Sequence, residues 1–163
     1  KGDVIIYEFF DYNCGYCKSV MEDLINVYEE DKDISIVFVE LPILSKTSLD
    51  SAIASLSAHK QKKYIDFHIN LMSHKGKINE KVILNIAKKI NLDIENFKKN
   101  ISNPDLMNII NENREIAQQF KLRGTPAFII GETVYPGALS KAEFKTAIKL
   151  ERNKFKKWEF VLK

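Results

Sequence analysis

Cysteine is scarce in this chain: the 163 residues hold two, and both fall in the stretch Cys14-Gly15-Tyr16-Cys17. A disulfide-stapled mini-protein needs an even, dispersed set, so that class is excluded. A chain of this length buries enough surface to hold one core without staples. Long apolar runs are lacking too, and nothing approaches the roughly 20 residues of a membrane-spanning helix. Neither sign of charge dominates: 25 basic residues against 22 acidic ones leave a formal +3. That excess is too small to argue for a nucleic-acid partner, and the lysines read as a solvated surface. There is no internal repeat, low-complexity tract or Ser/Gly linker, so residues 1–163 are expected to form a single domain. A charged n-region followed by an apolar h-region is also missing. Lys1 lies almost against the strand-like Val4-Ile5-Ile6, so the natural start is expected upstream, and a processed exported chain would have lost its signal peptide.

The composition that remains, 45% apolar and 29% charged, is that of a soluble globular protein. Residues 4–10 are apolar, β-branched and aromatic, interrupted by one acid, Glu8, and they predict a buried strand. Beyond Cys14, the residues Val20, Met21, Leu24, Ile25, Val27 and Tyr28 recur at helical spacing. The cysteines therefore sit at a strand-to-helix junction. Residues 34–41 form a second β-rich run ended by Pro42, which completes a β-α-β unit with parallel strands and a right-handed crossover. From about residue 45 to 120 every periodic stretch is helical: 52–60, 64–72, 80–90, 94–100 and a long helix opened by Asn103-Pro104. This block is expected to be an insertion. Residues 127–130 and 133–135 flank Gly131-Glu132 and predict a hairpin, after which Ser140 and Glu143 match a capping box for a last helix. The fold class is thus α/β, in the order β-α-β, helices, β-β-α.

The chemistry centres on the two thiols. A thiolate attacks a disulfide and a thiol does not, so a reactive cysteine needs a lowered pKa. The free amides and dipole at a helix N-terminus supply that at Cys14, and Cys17, one turn on, would resolve the mixed disulfide by attacking Cys14. The rival for such a pair is half of a zinc site, which needs two further ligands. His59, His68 and His74 are not spaced as an i, i+4 pair and read as surface or core histidines. A merely structural disulfide is the other rival. A second signal is Gly124-Thr125-Pro126-Ala127-Phe128, in which Pro126 is either a strand-start proline or a cis proline facing the cysteines. In the cis form Thr125 would leave its backbone for an extended substrate segment. The third is Glu8, which alternation puts on the same face as Ile6 and Phe10. A buried carboxylate is costly without a task, and accepting or relaying the Cys17 proton through water would be one. Otherwise Glu8 faces outward. Glu40, alternating with Phe38 on the neighbouring strand, could serve the same role.

The segment Glu8-Phe9-Phe10-Asp11-Tyr12-Asn13-Cys14-Gly15-Tyr16-Cys17-Lys18, the run Phe38-Val39-Glu40-Leu41-Pro42-Ile43, the helical block and Gly124-Thr125-Pro126-Ala127-Phe128 together resemble the DsbA-like branch of the thioredoxin superfamily, across essentially the whole chain. Within it the sequence is similar to periplasmic proteins of the ScsC type and to alphaproteobacterial DsbA homologues, including the Wolbachia and Rickettsia group. The resemblance implies a thioredoxin fold with a helical insertion at about residues 45–120, Cys14 as nucleophile, Cys17 as resolving thiol and Pro126 as the cis proline. It implies no metal or organic cofactor. The substrates would be cysteine-containing exported proteins in the periplasm or another oxidising compartment. A membrane redox partner would reset the pair, and a homo-oligomer would form through an N-terminal segment upstream of this chain. Gly-Tyr between the cysteines and Thr125 before the proline resemble the isomerase DsbC more than the oxidase DsbA, which has Pro-His and Val there. A non-catalytic peptide-binding or copper(I)-binding module of the same fold is the alternative, since two thiols suit a soft metal.

Overall fold

The computed structural model describes residues 2–161. Its elements run β1 (Val4–Phe10), α1 (Gly15–Glu30), β2 (Ile34–Glu40), α2 (Lys46–His59), α3 (Tyr64–Met72), α4 (Glu80–Lys89), α5 (Ile94–Ile101), α6 (Pro104–Gln119), β3 (Ala127–Ile130), β4 (Thr133–Pro136) and α7 (Lys141–Val161). The order is the β-α-β, helices, β-β-α expected. The sheet runs β2-β1-β3-β4, with β1 parallel to β2 and antiparallel to β3. Because β1 is central and packed on both faces, its sequence reads as a nearly continuous apolar run rather than an alternation.

One face of the sheet carries Val4, Ile6, Phe128 and Ile130 against Val20, Leu24 and Val27 of α1 and Phe144 and Ile148 of α7. The opposite face carries Phe9, Val39, Ala127 and Ile129 against Ala117 of α6. Where β1 ends, Phe10, Tyr12, Cys14 and Cys17 pack on the inserted helices through Ala54, Phe67, Leu71 and Phe97. Local signals set most boundaries. Asn103 caps α6 by accepting from the Asp105 amide at 3.0 Å, with Pro104 at the first helical position. The Ser140 amide donates to Glu143 at 2.7 Å, completing the capping box of α7. Gly131 takes a φ of 56° at the hairpin turn, a left-handed conformation that favours glycine.

Helix α2 begins at Lys46, ahead of the expected residue 52. Ser45 is its cap, accepting from the Ser48 amide at 3.1 Å. The buried face of this helix is built from Ser48, Ser51, Ala52, Ala54, Ser55, Ser57 and Ala58. Those serines are satisfied internally: Ser51 and Ser55 donate to the carbonyls of Thr47 and Ser51 at 2.7 and 3.0 Å, and Ser57 donates to the Phe97 carbonyl at 2.9 Å.

The inserted helices are fastened to the sheet by a buried polar network. Glu40, at the end of β2, accepts from the hydroxyls of Tyr12 at 2.9 Å and Tyr64 at 2.8 Å. With that hydroxyl proton given to Glu40, His68 Nδ1 donates to the Tyr12 oxygen across 3.0 Å. Burial keeps this imidazole neutral, its pKa lowered to about 3. Removing one hydroxyl should therefore leave two buried groups short of partners. Tyr12→Phe is expected to cost about 1–3 kcal/mol of unfolding free energy, read from urea titration at neutral pH. A change within the error of the titration would show that the network does not hold the insertion in place.

Candidate active site

A three-residue turn, Asp11 to Asn13, carries the chain from β1 into α1 and delivers Cys14 as the N-cap of that helix. The Cys17 amide donates to Cys14 Sγ at 3.2 Å, and the Cys14 amide donates to the Asp11 carbonyl at 3.0 Å. No acidic side chain occupies the first turn of α1, so nothing there opposes the positive end of the helix dipole. Both cysteines are free thiols and differ in access: Cys14 keeps 6% of its surface exposed and Cys17 none.

This environment separates the two acidities. Cys14 is lowered to about 6, first by the Cys17 thiol that donates to it, then by the Thr125 side chain and by the amides of Cys17 and Tyr16, against an opposing effect of burial. Cys17 is raised far above the usual thiol range because its hydrogen is given to Cys14 and because it is buried. One sulfur is thus a reachable anion near neutral pH, and the other is a buried thiol behind it.

Thr125 and Pro126 lie across from the helix N-terminus, and the peptide bond between them is cis. The Cys14 thiol donates to the Thr125 carbonyl at 3.3 Å. Pro126 is buried, and its carbonyl accepts from the Gly137 amide at 3.0 Å, which ties this loop to the end of β4. Glu8 is fully buried, paired in register with Phe38 on one side and Phe128 on the other. Neither carboxylate oxygen has a partner among the described residues. Burial and then the charge of Cys14 raise its pKa to about 8. Glu40 shares the sheet face of Glu8 and is also pushed well above the carboxylate range by burial, but its two tyrosine donors distinguish it. It belongs to the anchor of the insertion, whereas Glu8 is the acid left without a partner. His59 is exposed, His74 half-buried and His68 internal.

Two polar residues at the site escaped the sequence reading. Asp11, fully buried, accepts from the Asn13 amide at 2.8 Å through Oδ1 and from the Ile43 and Leu44 amides at 2.9 and 3.0 Å through Oδ2. The Asn13 side-chain amide reaches the hydroxyls of Ser45, Thr47 and Ser48 at 2.9–3.1 Å. An Asp two residues before an Asn, at a strand end, is an Asx-turn signal that would have found the first of these.

The family model of the DSBA-like thioredoxin domain matches residues 5–149. Among solved structures, a thioredoxin-like oxidoreductase from Silicibacter pomeroyi is 35% identical, covers 93% of this chain and 88% of its own, and superposes with a TM-score of 0.90. The thiol-disulfide exchange protein alpha-DsbA2 from Wolbachia pipientis is 31% identical, with 91% and 82% covered and a TM-score of 0.86. The catalytic domain of ScsC from Proteus mirabilis is 27% identical, with 92% and 84% covered and a TM-score of 0.83.

Two measurements follow from the electrostatics. The thiolate absorbance of the reduced protein should titrate near pH 6 and vanish in Cys14→Ser. Because the folded pKa of Cys14 lies below its ordinary value, its ionisation stabilises the reduced fold above about pH 9 and that stabilisation is lost as pH falls through about 6. Glu8 works in the opposite sense: its folded pKa is raised, so its cost is absent below pH 4.5 and fully present above about pH 8. Glu8→Gln should therefore gain a few kcal/mol over the unaltered protein at pH 9 relative to pH 4, by urea titration at both. Parallel stabilities at the two pH values would mean that Glu8 is ionised at little cost.

Proposed function

The chain belongs to the DSBA-like thioredoxin domain family, and on that premise we propose that it forms or isomerises disulfides in exported proteins through the Cys14–Cys17 pair. It is a thiol-disulfide oxidoreductase. The observation that carries the assignment of roles is the asymmetry of the two sulfurs, one at the helix N-terminus and reachable, the other buried and protonated.

In the reduced protein, the Cys14 thiolate attacks one sulfur of a substrate disulfide. The substrate S–S bond breaks, its leaving sulfur departs as a thiolate and takes a proton, and a Cys14–substrate mixed disulfide forms. Two outcomes are then open. In isomerisation, another substrate thiolate attacks the substrate's own sulfur in that bond and expels Cys14 with a new pairing. In reduction, Cys17 gives up its proton, relayed through water to the ionised form of Glu8, and its thiolate attacks Cys14, giving the Cys14–Cys17 disulfide and a released substrate thiolate. Oxidation of a substrate dithiol is the same path reversed. Glu8 suits the proton step because it is an unpartnered buried base whose affinity for a proton falls near neutral pH. Thr125 and Pro126 border the reacting sulfur, where the Thr125 backbone offers an extended substrate segment a hydrogen-bonding partner.

The proposal extends to context. Residues 1–163 act as one domain with the helices of about 45–120 inserted. The compartment is the periplasm or another oxidising one, a membrane protein resets the redox pair, and copies of the protein associate as a homo-oligomer. Among the described residues no helix is long and apolar enough to cross a membrane.

Reactivation of a scrambled, fully oxidised multi-disulfide protein, beside oxidation of the same protein fully reduced, tests this function and its direction. Recovery from the scrambled form marks isomerase chemistry in this domain, and oxidation alone marks an oxidase. Cys14→Ser should lose all exchange, whereas Cys17→Ser should accumulate mixed disulfides visible on non-reducing gels. Exchange persisting in Cys14→Ser would overturn the assignment.

A further inference from the structure

One cavity lies away from the two thiols. A crevice of about 580 Å³ is lined by Ile36 and Phe38 of β2, Met21 and Ile25 of α1, and Ile65 and Ile69 of α3. At the rise of an α-helix Ile25 stands about 16 Å along α1 from Cys14, and none of Cys14, Cys17, Glu8, Thr125 and Pro126 lines the crevice. The charged side chains that border it, Glu29 and Lys32, pair with each other at 2.8 Å. Ser35, also in the lining, accepts from the Gly2 amide at 2.8 Å. The walls thus offer apolar surface and no net charge.

One polar atom there is unmatched. His68, with 1% of its surface exposed, is the most deeply buried residue of the lining. Its ring packs on Phe38 at 4.3 Å and stacks on Tyr64 at 5.8 Å between centroids, and its Nδ1 is committed to the Tyr12 oxygen. Nε2 is then the bare acceptor of a neutral imidazole, without a partner among the described residues. An unmet buried acceptor costs free energy, and a water molecule is a poor remedy because it needs about two to four polar partners. Among the described lining residues no other buried side-chain nitrogen or oxygen lacks a partner. What the site lacks is a single donor carried on an apolar body.

We propose that this crevice binds a small neutral phenol, whose hydroxyl donates to His68 Nε2 while its ring and apolar substituent lie between α1 and α3. The paired rim charges select a neutral ligand, the one bare acceptor selects a donor, and Phe38 gives a ring an aromatic surface to pack on. A phenol is also the donor the protein itself uses in this network, where Tyr12 and Tyr64 donate to Glu40. Binding here is separate from disulfide exchange and does not rest on it.

The test uses the full chain, reduced and isotope-labelled for NMR, with para-ethylphenol and with para-ethylanisole, which has no hydroxyl to donate. The phenol should bind at least about tenfold more tightly than the anisole, move the His68 Nε2 resonance upfield and shift amides of α1, β2 and α3. In His68→Phe the two probes should bind within about twofold of each other. Because His68 also anchors the insertion, a second variant serves if that one fails to fold. Ile69 is 38% exposed, and Ile69→Glu should weaken the phenol about tenfold by placing a charge against its apolar body. Equal affinity for both probes, no binding of the phenol, or unchanged phenol affinity in Ile69→Glu would overturn the site. So would a His68 Nε2 resonance that the phenol leaves in place, or one already in the hydrogen-bonded position without a probe, which would mark an ordered water. Amide shifts centred on Cys14 and Thr125 would place the phenol at the thiols and overturn the proposal as well.

Discussion

A sulfur at a helix N-terminus keeps its low proton affinity only while the chain that enters the helix is held still. Here that entrance is three residues long, and each sends its side chain to a different part of the molecule. Asp11 reaches the amides of Ile43 and Leu44, Tyr12 reaches Glu40 and His68, and Asn13 reaches the hydroxyls at the start of α2. The strand fixes one end of the turn through its pairing with β2 and β3. Helix and nucleophile are thereby referenced to the sheet, to the segment after β2 and to the inserted helices at once. An insertion between β2 and β3 would otherwise add surface and ordering cost without bearing on the chemistry; in this molecule it holds two of the three turn residues that lead to Cys14.

The electrostatics of the site rest on one competition. The helix amides, the Cys17 thiol and the Thr125 side chain favour negative charge on Cys14, while Glu8, buried beneath without a hydrogen bond, is disfavoured as an anion by burial and by that same charge. At neutral pH the low-energy arrangement of the reduced protein is a thiolate at Cys14 and a proton on Glu8. The balance tilts when Cys14 becomes bonded to a second sulfur. Its charge disappears and the smaller of the two causes holding the proton on Glu8 is removed, while burial, the larger, remains.

Most of this was legible in the sequence because it depends on local patterns. The strand of residues 4–10, the helix after Cys14, the cap at Asn103 and the hairpin at Gly131 all have short-range signatures, and Glu8 stood out as a charge within an apolar run. The start of α2 was not legible, because its buried face is serine and alanine, and a packed face of small residues carries little apolar periodicity. The bonds of Tyr12 to Glu40 and His68, and of Asp11 to Ile43 and Leu44, were not legible for a different reason. Their partners lie 28 to 56 residues away in the chain, and nothing in either segment alone announces the pairing. Glu40 was singled out for a proton relay that its alternation permits, and the two tyrosine hydroxyls that engage it come from that same long-range set.

The Thr125 carbonyl responds to the ionisation of Cys14. In the protonated state the Cys14 thiol donates to it, so that carbonyl is already engaged. When the proton leaves, the thiolate has nothing to donate, and two acceptors facing each other across 3.3 Å repel. The hydroxyl side chain of the same residue favours the anion. A residue without a hydroxyl at this position would retain the carbonyl's repulsion and lose the compensating attraction, which raises the proton affinity of Cys14 and keeps the carbonyl engaged to higher pH. The residue before Pro126 thus bears on the acidity of Cys14 through both its carbonyl and its side chain.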